Sequence, residues 1–124
     1  MAQTTVYSLT ISSGAAVSTV FPFQGRRVVG VIFPSAWTAA DLTFDIEHPA
    51  GTFIKVVDRA GAAYKLTGVA TSAAEYHLTA GDANQGDIII TGPGSGRVVS
   101  TNTSSEADVN QGAERTVVVI LAGC

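Results

Sequence analysis

The chain has 124 residues, of which 46% are hydrophobic and 14% charged, with a net charge of −3 and one cysteine. That length makes one domain with a modest core, and that hydrophobic content excludes a disordered polymer. Seven Lys and Arg, adjacent only at Arg26 and Arg27, exclude an electrostatic nucleic-acid surface, and the lone Cys124 excludes an internal disulfide.

Charged residues fall well below the ~25% usual for globular domains. Small residues fill the gap: 18 Ala, 14 Thr, 13 Gly and 10 Ser. Surfaces of this kind lose water easily, and charge depletion is a property of interface cores. Composition therefore points toward an assembly subunit. The first ten residues lack the basic and apolar regions of a secretion signal. The longest apolar run, residues 117–122, is too short to cross a bilayer as a helix.

Alternation dominates the chain and helical periodicity is scarce. Residues 4–11 predict a strand with Tyr7, Leu9 and Ile11 on one face. Residues 17–23 are a second apolar stretch, in which Pro22 predicts an edge or a strand end. Residues 27–33 are apolar on both faces, as a central strand requires, and Gly30 within them predicts a bulge or a close backbone approach. Residues 35–41 are the one helical candidate, of one or two turns. Residues 42–47 alternate most cleanly, with Leu42, Phe44 and Ile46 inward and Thr43, Asp45 and Glu47 toward solvent. The turn His48-Pro49-Ala50-Gly51 and a returning strand over 52–57 make a hairpin.

Asp58-Arg59-Ala60-Gly61 is a further turn, followed by a short strand over 62–67. Residues 75–79 predict a short strand or an irregular turn. A buried strand over 87–91 precedes a flexible turn, Gly92-Pro93-Gly94-Ser95-Gly96. Residues 98–112 are polar and predict a protruding loop, and 115–121 the last buried strand. The whole reads as an all-β, single-domain β-sandwich or jelly roll of about eight strands spanning residues 1–124.

Candidate chemistry is sparse. Asp82, Asn84 and Asp87 resemble the start of a calcium loop, but the twelfth position is Pro93, which has no ligating side chain. Asp82-Ala83-Asn84-Gln85-Gly86 and Asp108-Val109-Asn110-Gln111-Gly112 share one pattern, read as turn chemistry. Asp45 and Glu47 lie about 7 Å apart on one strand face, a spacing seen in glycosidases, and read better as a solvated face. His48 and His77 lack metal-ligand spacing, and Cys124 is terminal, a poor place to hold a nucleophile. The glycines around Pro93 lack the Lys-Ser/Thr end of a phosphate loop. No catalytic, cofactor-binding or metal-ligating residue is predicted. Trp37, after Pro34, reads as a core plug at a corner, with an exposed anchor as the alternative.

The stretch Arg26-Arg27-Val28-Val29-Gly30-Val31-Ile32-Phe33-Pro34-Ser35-Ala36-Trp37-Thr38-Ala39-Ala40-Asp41-Leu42-Thr43-Phe44 resembles a pattern in small virion proteins of tailed bacteriophages. Val56-Val57-Asp58-Arg59-Ala60-Gly61 fits that family's next turn, and Val109-Asn110-Gln111-Gly112-Ala113-Glu114-Arg115-Thr116-Val117 resembles its closing segment. The resemblance covers about half the chain and leaves residues 67–86 poorly matched. It implies a non-enzymatic, cofactor-free virion protein, assembled in the host cytoplasm: a capsid decoration or cement subunit, or a minor head protein. Its expected partners are the major capsid protein and copies of itself, a trimer among the candidate states, with no nucleic acid and no membrane. Trp37, Val98, Asn102, Val109, Asn110 and Gln111 are the candidate interface residues. The alternatives are a tail or connector subunit, or a carbohydrate-binding sandwich displaying Trp37, Tyr64 and Tyr76 for host attachment.

Overall fold

Alternation in its second half builds β1 (Thr4–Ile11), whose Leu9 and Ile11 are buried while Ser8 and, against the pattern, the apolar Val6 are exposed. β2 (Phe21–Pro22), β3 (Arg26–Phe33), β4 (Asp41–Glu47), β5 (Phe53–Lys55), β6 (Leu66–Thr67), β7 (Ala74–His77), β8 (Ser95–Thr101) and β9 (Arg115–Gly123) follow. The computed structural model describes residues 4–57, 60–67, 74–77, 90–102, 104, 105 and 107–123, with the backbone alone for 74–77.

These strands form two antiparallel sheets. One has the order β1-β9-β3-β7; the other runs β2-β8-β4-β5, with β6 also paired to β4. Both sheets feed one core. Leu9, Ile11, Val28, Val31, Phe33, Val117, Val119 and Leu121 come from the first sheet; Phe21, Leu42, Phe44, Leu66 and Val98 come from the second. Two sheets burying their inner faces in a common cluster make a sandwich-like, all-β arrangement. β3, apolar on both faces, holds an interior position between β9 and β7, and the alternating β4 lies between β8 and the β5/β6 edge. Pro22 sits on an edge strand, where its missing N–H costs nothing.

β2 passes to β3 in the opposite sheet through a two-residue turn. Gln24 and Gly25 both take positive φ (51° and 75°), and Arg26 N–H donates to Phe23 O at 3.0 Å. Glycine at the second position meets the left-handed requirement of such a turn. The Arg26 guanidinium braces it, donating to Phe23 O (3.0 Å) and to the Tyr7 hydroxyl of β1 (2.9 Å).

The expected irregularity at Gly30 is a bulge. Val28 pairs with Leu121 and Gly30 with Ile120, leaving Val29 as the extra residue. The bulge divides the other side of β3. β7 pairs with Gly30 through Phe33, whereas Val28 N–H donates to Ile90 O (3.0 Å) and Thr91 Oγ1 to Arg26 O (2.6 Å). Ile90 is buried, and residues 87–89 of the predicted strand lie outside the described residues.

Four expectations change. Residues 35–40 form an irregular corner with no helical turn, because the Trp37 indole turns inward, 3% exposed, edge-to-face on Phe33 at 5.1 Å and donating to Ala40 O at 3.1 Å. The predicted protruding loop begins later: 98–101 belong to β8, and Val109 N–H folds back onto Ser100 O at 2.8 Å. The glycine run after Ile90 makes close approaches. A Cβ on Gly96 would meet the Phe23 and Phe21 rings at 2.7 and 2.8 Å, and one on Gly94 would meet Glu47 O at 2.9 Å. Finally, the strands predicted over 52–57 and 62–67 are both shorter: β5 covers Phe53–Lys55 and β6 Leu66–Thr67 along the same edge of β4, with the Val57–Ala63 bridge between them.

Gly96→Ala therefore overpacks the Phe21–Phe23 pair. It is expected to lower stability by about 1–3 kcal/mol in urea denaturation; an unchanged midpoint would show that the rings yield freely.

Candidate functional site

On the outer face of the second sheet a row of charge crosses three strands. Asp45 of β4 stands directly opposite Lys55 of β5 and Arg97 of β8. Arg97 Nε donates to Asp45 Oδ2 at 2.9 Å; Lys55 Nζ lies 3.8 Å from Asp45 Oδ1 and donates to Thr43 Oγ1 at 3.0 Å. The Arg97 guanidinium stacks over the Phe53 ring at 3.8 Å, a contact worth ~1–2 kcal/mol when partly desolvated. Asp45 is 7% exposed and Thr43 fully buried. This corrects the reading of these residues as a solvated face. Alternation assigned them to the outer side, but Phe53, Lys55, Arg97 and Val99 cover that side.

Glu47 works apart from Asp45. Its Oε2 accepts from Gly51 N–H at 2.7 Å and holds the 48–51 turn, in which Gly51 has φ +87°. The two carboxylates thus have separate structural partners, and no acid–base pair is assembled. The cleft beside Asp45, lined by Val17, Phe53, Lys55, Arg97, Val99 and Asp108, holds about 230 Å³; that beside Glu47, with His48, Ala50, Pro93 and Gly94, about 220 Å³. Both are smaller than the ~300–1,000 Å³ of ordinary small-molecule sites.

A second polar centre surrounds Gln111, which is fully buried. Its Oε1 accepts from Thr38 N–H (2.8 Å) and Arg115 Nε (3.2 Å); its Nε2 donates to Thr38 O (3.2 Å) and Ser100 Oγ (2.8 Å). Its backbone N–H donates to Ala15 O (2.9 Å), and its carbonyl accepts from Gly14 N–H (2.8 Å). Thr38 Oγ1 accepts from Gly112 N–H at 3.0 Å. The motif around Trp37 and the closing motif around Gln111 are thereby joined. Sequence alone could not register this, because 73 residues separate the two partners.

The candidate interface residues divide accordingly. Trp37, Val98 and Gln111 are buried at 3%, 0% and 0%; Val109 is half-buried; Asn102 and Asn110 are exposed. Tyr64, one of three proposed sugar platforms, is buried at 1%, as Trp37 is; the Tyr76 side chain lies outside the described residues. So do the His77 side chain, Cys124 and the 82–87 calcium-like segment. Among the described residues, no group of three His, Cys, Asp or Glu is placed to hold a metal ion. The 108–112 copy of the repeated pattern is not a positive-φ turn: Asp108 bridges Thr101 in an extended pairing, and Gln111 is the hub just described.

Two substitutions test these centres. Gln111→Leu leaves Thr38 N–H and Ser100 Oγ without their partner and is expected to cost at least about 2 kcal/mol in urea denaturation. Asp45→Ala leaves two half-buried cations facing one another and should cost about 1–3 kcal/mol, less than the 3–5 of a fully buried pair. A loss below 0.5 kcal/mol in that assay, within the ordinary range of surface changes, would refute either role.

No family model matches the chain, and neither a curated protein nor a solved structure matches it.

Proposed function

We propose that the chain is a non-enzymatic structural protein of a tailed-bacteriophage virion, a decoration or cement subunit that binds the major capsid protein and stabilises the head shell. The observation that carries this reading is the strand order. The chain passes back and forth between the sheets, giving β1-β9-β3-β7 over β2-β8-β4-β5. We read this order as a jelly roll, an architecture that serves viral capsid and lectin domains. A further support is that the two segments carrying the phage resemblance meet in space, Gln111 gripping Thr38.

The mechanism in this reading is clamping. Stabilisation comes from many copies of a modest interface, each adding to the next through the shell's own symmetry. Asn102 and Asn110, exposed in the segment that follows β8, suit a polar rim. The lectin alternative loses support because two of its three aromatic platforms lie in the core.

The test is made on particles of the phage encoding the chain, prepared with and without it. Particles lacking the protein are expected to release DNA at a lower temperature, and adding the purified chain back should restore the original value. Equal thermal release, with no binding of the chain to the heads in a sedimentation assay, would overturn the proposal.

A further inference from the structure

The edge of a β-sheet is a row of backbone donors and acceptors without partners, and natural proteins protect such edges with short strands, charge, proline or bulges. Both edges of the second sheet are protected in this way. β2 has two residues, one of them Pro22. β5 has three, including Lys55, and the chain departs from that edge before β6. β1 is different: eight residues, TTVYSLTI, with no charge, proline or glycine, paired to β9 in unbroken register.

The hydrogen bonding shows which groups of β1 face away from β9. Thr10 N–H donates to Thr19 Oγ1 (3.1 Å), and Thr10 O accepts from Thr19 N–H (3.0 Å), so the polar backbone of Thr10 points outward. By the two-residue period of a strand, the N–H and C=O of Ser8, Val6 and Thr4 point the same way. No partner for these groups occurs among the described residues, and all three residues are exposed, Val6 at 58%.

We infer that this edge pairs with β1 of a second copy of the chain, antiparallel across a two-fold axis at Val6. Only an extended strand satisfies alternating donors and acceptors at strand spacing. In this register Val6 exchanges both backbone bonds with its counterpart, while Thr4 and Ser8 exchange theirs with each other. Thr19 occupies Thr10, so the pairing ends at Ser8 and cannot slide further along the strand. Because β1 carries no charge, it meets itself without the like-charge opposition that Lys55 would bring at the β5 edge. Val6 stands opposite Ile120 on the outward face, and Ile32 opposite Val118, so the axis brings apolar residues together. The interface is isologous and closes as a dimer. The inference does not depend on where the protein acts and stands apart from the head-shell reading.

Sedimentation equilibrium of the wild-type chain at tens of micromolar should give about twice the 12.7 kDa chain mass. Val6→Lys places like charges opposite one another and should raise the dimer dissociation constant at least about tenfold. Ile54→Lys, at the comparably exposed Ile54 of β5, should leave it unchanged. A cross-link distinguishes lost pairing from lost folding. Directly paired residues of this kind stand about 5.5 Å apart at Cα, within disulfide reach. Val6→Cys in a Cys124→Ser background should form an intermolecular disulfide on mild oxidation, and Ile54→Cys in that background should not. A monomeric or trimeric wild type, an unaltered dimer in Val6→Lys, or equal cross-linking at the two positions would overturn the inference.

Discussion

The side-chain amide of Gln111 meets both backbone groups of Thr38, accepting from its N–H and donating to its carbonyl, as a neighbouring strand would. The same amide reaches Ser100 on β8 and Arg115 at the start of β9, while its backbone holds the Gly14–Ala15 turn. All of this happens in a fully buried position. There an unpaired amide would cost several kcal/mol, and a fully satisfied one fixes a single arrangement. The corner that swings the chain from β3 to β4, and the return from β8 to β9, are thus fixed to one another. Trp37 can plug the core beneath the corner because the backbone beside it is already held.

The second sheet is organised from its outer side as well as its inner one. Phe44, Leu42 and Val98 fill the shared core, and the Lys55–Asp45–Arg97 row ties the three strands together on the opposite face. The glycines after Ile90 allow β8 to lie close enough for this. Gly96 leaves room for the Phe21 and Phe23 rings, and Gly94 for the carbonyl of Glu47. A charge-poor chain spends few ion pairs, and this one places Asp45 where three strands meet.

Local pattern carried much of the architecture. Alternation in residues 4–11 and 42–47 marked β1 and β4, a run apolar on both faces marked β3 as a central strand, and residues 115–121 read as the buried strand that is β9. Gly30 marked the bulge, and Pro22 an edge. The failures share one cause. Asp45 was assigned the correct side of its strand but the wrong environment, since its cover comes from Arg97, 52 positions away. Residues 98–101 looked like loop because Ser100 and Thr101 are polar, yet both are fully buried beside segments 15–17 and 107–111. The glycine run after Ile90 looked flexible because small residues in close packing and in turns read alike.

What the sequence determined by itself was the strand-forming character of the chain, the inward face of most strands and the position of the corner. These follow from a two-residue side-chain period and from the stereochemistry of Pro and Gly, which act locally. Only the tertiary structure decided which strands share a sheet, that Gln111 is a buried hub and not a turn residue, and that the outward backbone groups of Thr4, Val6 and Ser8 find no partner among the described residues. Those outcomes depend on contacts between residues tens of positions apart. A local pattern can state that a polar group needs a partner; only the folded chain supplies that partner.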